Sequence, residues 1–346
     1  MRKLLMIFLS LSLLSCADEK ADPKELSNYI PQSAAVIIKL DNPNLFFSHL
    51  KNNDLIKSNA AHPLLENLRQ QLSFLDHIQH KTPAYLSFSA EESGKISYTF
   101  IHHGIPASID LDSIKNRSVE TLTAEFGEIK KYDLEGQVTY TGSIDSIFLV
   151  SDSRKALEAI LQNGGKNQLP NNADFQKALK ASATDKPVIL INHQNFTALA
   201  SQLLPFAPLK KLNNFSNWTT LDTEITPSGI KLNGITTASD TVPKLLNAFK
   251  GVDPTPNELA SLAPTSSHGF FSFSFANFSR LQANLSKLTG ADASPASTDE
   301  AELLRNAAEA GMIYFQNAPV FAIRSLDPET AKSVFSSKGS LQEEFH

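Results

Sequence analysis

Histidine, aspartate, cysteine and phenylalanine supply the side chains of this chain that could do chemistry. His77 and His80 lie three apart at the end of a predicted helix, so both could face one ion, and His102-His103 closes an adjacent predicted hairpin. Imidazole pairs suit zinc or copper. Neighbours on a strand point to opposite faces, so at most one of His102 and His103 could join such a site. The simpler reading is exposed histidines at a helix end and a strand end. His268, beside Gly269, reads as a turn residue. Asp110 and Asp112 share a face if extended, and Asp145 and Asp152 flank a predicted strand. Paired carboxylates perform acid–base chemistry when their surroundings push their pKa values apart. These four sit in segments that read as turns and caps, where aspartate binds its own backbone. No Gly-x-Ser-x-Gly or His-Glu-x-x-His pattern occurs, and Gly164-Gly165-Lys166 lacks the upstream glycine and following hydroxyl of a phosphate loop. It reads as a helix terminator. We therefore expect no catalytic, metal-binding or cofactor-binding residues. Phe271, Phe273 and Phe275 share a strand face opposite Ser272 and Ser274. A lipid or glycan groove would use such a stripe; the expected role is the buried side of a sheet with one wet face.

Cys16 is the only cysteine, and its position gives it a use. Met1-Arg2-Lys3 precedes an apolar run, Leu4–Leu14, and then Leu13-Leu14-Ser15-Cys16. Two cations, a short apolar stretch and small residues before a cut site make a secretory signal peptide over 1–15. The run is shorter than the roughly 20 residues a membrane span needs. Leu-Leu-Ser-Cys resembles the lipobox of bacterial lipoproteins. That resemblance implies that Cys16 is lipidated, becomes the first residue of the mature chain and anchors it to the membrane. Several acyl chains hold stably where one would not, at about 0.8 kcal/mol per buried methylene. Ala17 stands where inner-membrane retention would need aspartate, and the acidic pair Asp18-Glu19 resembles the export signal of surface lipoproteins. The expected address is the bacterial outer membrane, at the cell surface or the periplasmic face. A lipobox also removes the one thiol from catalysis. It gives little weight to the glycosylation-like triplets at Asn195, Asn214 and Asn217.

The formal charge is −5, and falls by two to −7 without Arg2 and Lys3. A mildly acidic chain is a poor ligand for nucleic acid or anionic headgroups, which select clustered Lys and Arg. Hydrophobic residues make up 41% and charged residues 19%, as in an ordinary globular chain. With Cys16 modified no disulfide can form, so the fold rests on its core.

Residues 16–28 are polar and read as a solvated tether. Order is expected from Tyr29-Ile30-Pro31. Ala34–Leu40 reads as a buried strand. Asn42 and Pro43 suit the N-cap and first turn of a helix. A second helix starts near Pro63 with apolar positions Leu64, Leu65, Leu68, Leu72, Leu75 and Ile78 on one face. Ala84–Ser89 and Ile96–Phe100 alternate, predicting a hairpin with one wet face. Strands are expected at Gln137–Thr141, Ser146–Ser151 and Val188–Ile191, and a hairpin at Trp218–Ile225 with Ile230–Ile235. Helices are expected from Ala156 to a glycine cap at Gly164, from Phe196, and over Pro243–Phe249. Ser297 and Glu300 form a capping box for a helix ending at Gly311, before a third hairpin, Met312–Phe315 with Val320–Arg324.

The chain also repeats itself. Ile30-Pro31-Gln32-Ser33, a strand and Asn44-Leu45-Phe46 have a counterpart in Ala263-Pro264-Thr265-Ser266, a strand and Asn277-Phe278-Ser279. Pro187, Val188–Ile191 and Asn195-Phe196 echo the same unit. This layout resembles uncharacterised bacterial envelope lipoproteins that open with, and repeat, such a segment. The resemblance implies an α+β architecture and no chemistry. The expected fold is thus α+β, with mixed or antiparallel sheets, packed helices and two related halves: a first unit over 29–250 and an apparently incomplete second over 251–346. In that second unit a partner, or further chain beyond His346, would supply the missing edge. The expected function is a non-catalytic, lipid-anchored scaffold or binding module with an envelope protein partner. An envelope hydrolase with a dispersed site and a carrier of a lipidic or small ligand are the rivals. A flat exposed apolar patch would favour the scaffold, a deep polar pocket the hydrolase and an apolar cavity the carrier.

Overall fold

A computed structural model describes residues 26–78, 82–106, 108–166, 169–183, 185–203, 214–240, 242–289, 304–315 and 318–337. The leader, Cys16, His80, the Ser297/Glu300 box and the tail 338–346 lie outside the described residues. The chain divides into two compact units, 1–237 and 238–346, so residues 238–250 go with the second.

Order in the first unit begins before Tyr29, because Leu26 is fully buried inside the segment read as tether. β1 (Ala34–Leu40) is followed by α1 (Pro43–Asn52), where the Asn42 side chain accepts the Leu45 N–H. α2 (Asp54–Ser58) is capped by Asn53. α3 (Pro63–Gln71) is capped by the His62 ring. The apolar face predicted to run to Ile78 leaves the helix at Gln71 and finishes in a tight turn, Ser73–His77, which buries Phe74 and Leu75. Six strands follow, β2 (Ala84–Ala90), β3 (Ile96–His103), β4 (Arg117–Ala124), β5 (Gly127–Leu134), β6 (Gln137–Ile144) and β7 (Ile147–Ser151): β2–β3 is a hairpin, and β4–β7 is a meander whose last strand returns to pair with β3. After α4 (Arg154–Asn163), capped by left-handed Gly164, come α5 (Ala173–Lys180), β8 (Val188–Asn192), α6 (His193–Leu203), β9 (Trp218–Thr226) and β10 (Gly229–Thr237).

These ten strands make one antiparallel sheet in the order β10-β9-β8-β1-β2-β3-β7-β6-β5-β4. Alternate residues of its middle feed two separate cores. Ile37, Tyr85, Ile101, Leu149 and Leu190 pack with Leu157 of α4 and Phe175 of α5. Leu40, Leu86, Phe100, Phe148 and Val150 pack on the other side with Phe46 of α1 and with Phe74. The β2–β3 hairpin therefore has no wet face. Its small hydroxyls stand in for apolar groups: Ser87 donates to the Thr99 carbonyl, and Ser151 to that of Tyr98.

Six of the ten strands come from a repeated β-α-β-β unit. β1, helices α1–α3, β2 and β3 form the first copy; β8, α6, β9 and β10 form another. Their first strands pair antiparallel at the centre, Val36↔Ile191 through Lys39↔Val188. Each copy's leading helix reaches the other's second strand, α1 packing against β9 and α6 against β2.

The second unit is a third copy. β11 (Gly269–Ser274), α7 (Phe278–Thr289), β12 (Ala307–Tyr314) and β13 (Pro319–Ser325) give a sheet in the order β11-β12-β13, followed by α8 (Pro328–Ser337). Ala307–Gly311, expected as the end of a helix, is strand; its pairing with β11 and β13 overrides local helix preference. The cap asparagines fix the register of the repeat. Asn277 accepts from Arg280 N–H as Asn42 does from Leu45 N–H, so Asn277 corresponds to Asn42, two positions from the Asn44 match read in the sequence.

Candidate functional site

The histidine and aspartate candidates do not converge. His102 is buried rather than exposed; its ring meets Thr82 Oγ1 at 2.8 Å and the Gly104 carbonyl at 3.1 Å. His77 ends the turn after α3, where its carbonyl accepts the Asp110 N–H. His268 donates its amide to the Tyr314 carbonyl. Asp110 accepts the Asp112 N–H, the local turn expected of it. Asp145 sits in a left-handed turn and accepts from the Tyr29 hydroxyl. His193, which the sequence reading passed over, is also buried, its ring 2.8 Å from Thr219 Oγ1. Among the described residues no group of three or more His, Cys, Asp or Glu could hold a metal.

A cleft of about 920 Å³ in the first unit lies between α3, the β2–β3 and β5–β6 turns and the end of α6. Asp152 is its only deeply buried carboxylate, with 6% of its side chain exposed. It is fully committed: it accepts Tyr98 N–H at 2.9 Å and Gln71 Nε2 at 2.8 Å, and pairs with Lys95 Nζ at 3.0 Å. These bonds tie α3 and the hairpin to the sheet and leave no carboxylate poised for a substrate. Below it, burial pushes the Tyr98 phenol up, opposed in part by the Thr139 hydroxyl and reinforced by Asp152. Elsewhere, buried Lys39 donates to the Ala183 carbonyl. Beside it burial raises Asp41, with Lys39 lowering it and Asp185 raising it further.

The second unit carries the clearest surface feature. Pairing puts Phe271, Met312 and Phe321 in one row across its three strands, with Phe273, Ala310 and Ile323 in the next. α7 covers one end of this face: Phe275 is 2% exposed and packs with Ala248, Leu281 and Ala307. At the other end Phe271, Phe273, Tyr314 and Phe321 are 43, 41, 43 and 57% exposed. The rings still touch, Phe271 to Phe273 at 5.6 Å and to Tyr314 at 6.2 Å, and Phe273 to Phe249 at 5.7 Å. The Phe271/Phe273/Phe275 stripe is thus core at Phe275 only. The sequence showed the shared face, but not where α7 stops covering it.

The opposite face of this sheet holds a buried anion, while Phe270 and Val320 on the same face stay about half exposed. Glu309 is fully buried and accepts from Ser272 Oγ at 2.6 Å, Glu258 N–H at 2.6 Å and Leu259 N–H at 3.0 Å. Arg324 Nε lies 3.7 Å away. Burial raises the Glu309 carboxyl, but the Ser272, Glu258 and Leu259 hydrogen bonds and Arg324 outweigh it and hold it below the usual range. The group is a staple for the Leu259–Leu262 turn, with every oxygen occupied. Among the described residues no helix is long and apolar enough to cross a membrane. Comparison with known proteins finds no matching family, no matching curated protein and no matching solved structure.

Proposed function

We propose that this chain is a lipid-anchored protein of the bacterial outer membrane, held by acylated Cys16, that acts as a non-catalytic scaffold or binding module. One observation carries the binding part: the exposed aromatic end of the β11-β12-β13 face, where Phe271, Phe273, Tyr314 and Phe321 lie in contact or in register. A contiguous exposed apolar patch marks an interaction site. The carboxylates of the large cleft and of the second sheet are consumed by structural bonds, which supports binding over hydrolysis. The lipobox Leu13-Leu14-Ser15-Cys16 supports the anchor. The test is a photo-crosslinking residue placed at Phe321 in living cells. Discrete protein adducts at that position support the reading. No adduct there, with adducts only from a control position on α3, overturns it.

A further inference from the structure

In the first unit no first strand of a β-α-β-β copy is left at an edge: β1 and β8 pair with each other, antiparallel. In the second unit β11 holds the same place in its copy, yet β12 is its only partner strand among the described residues. We infer that β11 pairs antiparallel with β11 of a second copy of this chain, a twofold dimer that repeats between molecules what β1 and β8 do within one. The inference rests on reading the aromatic face as a binding surface, and names its partner.

The other edges are guarded against such pairing. Of the four edge strands among the described residues, β4 carries Arg117 and Glu120, β10 carries Lys231, and β13 carries Pro319 and Arg324. Charges and proline on an edge block added strands. β11 reads Gly-Phe-Phe-Ser-Phe-Ser, with neither. Among the described edges it is the one without either guard.

Symmetry also fixes which side chains meet. A twofold axis perpendicular to the joined sheet keeps the two aromatic faces on the same side. It pairs each residue with one of equal parity, since residues directly opposite share a face. Counting back from the cap asparagines, Ser272 corresponds to Ile37, which sits opposite Leu190 at the β1–β8 junction. An axis at Ser272 puts Phe271 opposite the second copy's Phe273, and Phe273 opposite its Phe271. Four phenylalanines then form one cluster where each copy alone leaves two rings over 40% exposed. The second copy's α7 would cross the junction as α1 and α6 do in the first unit.

The test uses the full chain with Cys16→Ser, in sedimentation equilibrium. A dimer is expected at about 100 µM, weakened at least about 100-fold by Phe271→Lys with Phe273→Lys, while Leu232→Lys on β10 leaves it intact. Far-ultraviolet circular dichroism confirms that each variant is folded. A second variant reads the register. Phe270→Cys with Ser274→Cys, in the same background, should oxidise to a covalent dimer; within one strand these positions are about 13 Å apart and cannot bridge. A monomeric wild-type chain overturns the inference, as does a dimer indifferent to the β11 lysines, or one that forms no disulfide. If the chain is a monomer while Phe321 crosslinks a different protein in cells, self-pairing fails and the binding reading stands.

Discussion

Replacing Glu309 tests how the second unit is held together. Glu309→Ala removes a fully buried carboxylate, strands the Ser272 hydroxyl and the Glu258 and Leu259 amides, and leaves the Arg324 guanidinium only Pro256 and Glu258. Removing one partner of a buried charged network costs about 3–5 kcal/mol. Glu309→Gln keeps the volume and one acceptor oxygen but turns an amide NH₂ toward donors. Hydrogen bonds to a charged group contribute about 1.5–3 kcal/mol each, so a loss of about 2–3 kcal/mol is expected. The pH dependence has a definite sign. Because the folded-state pKa is depressed, the carboxylate's contribution is fully present above the ordinary carboxylate pKa of 4.5. It disappears as pH falls through the lower folded-state value, since the unfolded chain then binds the proton first. Urea unfolding between pH 7 and acid, followed by circular dichroism, should show the wild type losing stability below the carboxylate range and Glu309→Gln losing less. Hydrogen exchange should show the Leu259 amide exposed in the variant. A Glu309→Gln chain as stable as wild type at pH 7, with the same acid profile, would refute this reasoning.

Three further outcomes are expected. In the dilute, monomeric chain Phe275→Ala should destabilise by about 3–5 kcal/mol, as for a buried phenylalanine, and Phe273→Ala by about 1 kcal/mol, as read from urea melts; equal losses there would mean that the chain itself covers the face to its end. A Cβ at Gly311 would lie 2.3 Å from the Phe271 carbonyl oxygen, so Gly311→Ala should force β11 from β12 and cost about 1–3 kcal/mol or more in the same assay. Cys16→Ser should yield an unacylated precursor by mass spectrometry, because serine cannot form the thioether; a free Cys16 in the wild-type protein would contradict the anchor.

Strands whose residue types match their burial were legible: Ala34–Leu40, the two hairpins from Ala84 and Trp218, and Asn42-Pro43 at a helix start all stand in the structure. The repeat was legible too, because strand, cap and helix recur together. Other elements were hidden for physical reasons. β4 and β5 alternate charged and apolar residues without a long apolar run, and their pairing with each other and with β6 makes them strands. The wet-faced reading of β2–β3 failed because buried serines and threonines satisfy one another. Glu309 was unreadable, since its partners lie 37 and 50–51 residues away. The same holds for the aromatic patch: three phenylalanines on one strand do not reveal where the covering helix ends.

Hydrogen–deuterium exchange of β11 in the anchored protein tests the central claim most directly. β1, paired on both sides, is an internal reference for a fully paired strand. In envelope preparations the amides of Gly269–Ser274 should exchange as slowly as those of Ala34–Leu40, and should accelerate in the Phe271→Lys, Phe273→Lys variant. Rapid β11 exchange in the envelope, unchanged by those lysines, would contradict the account.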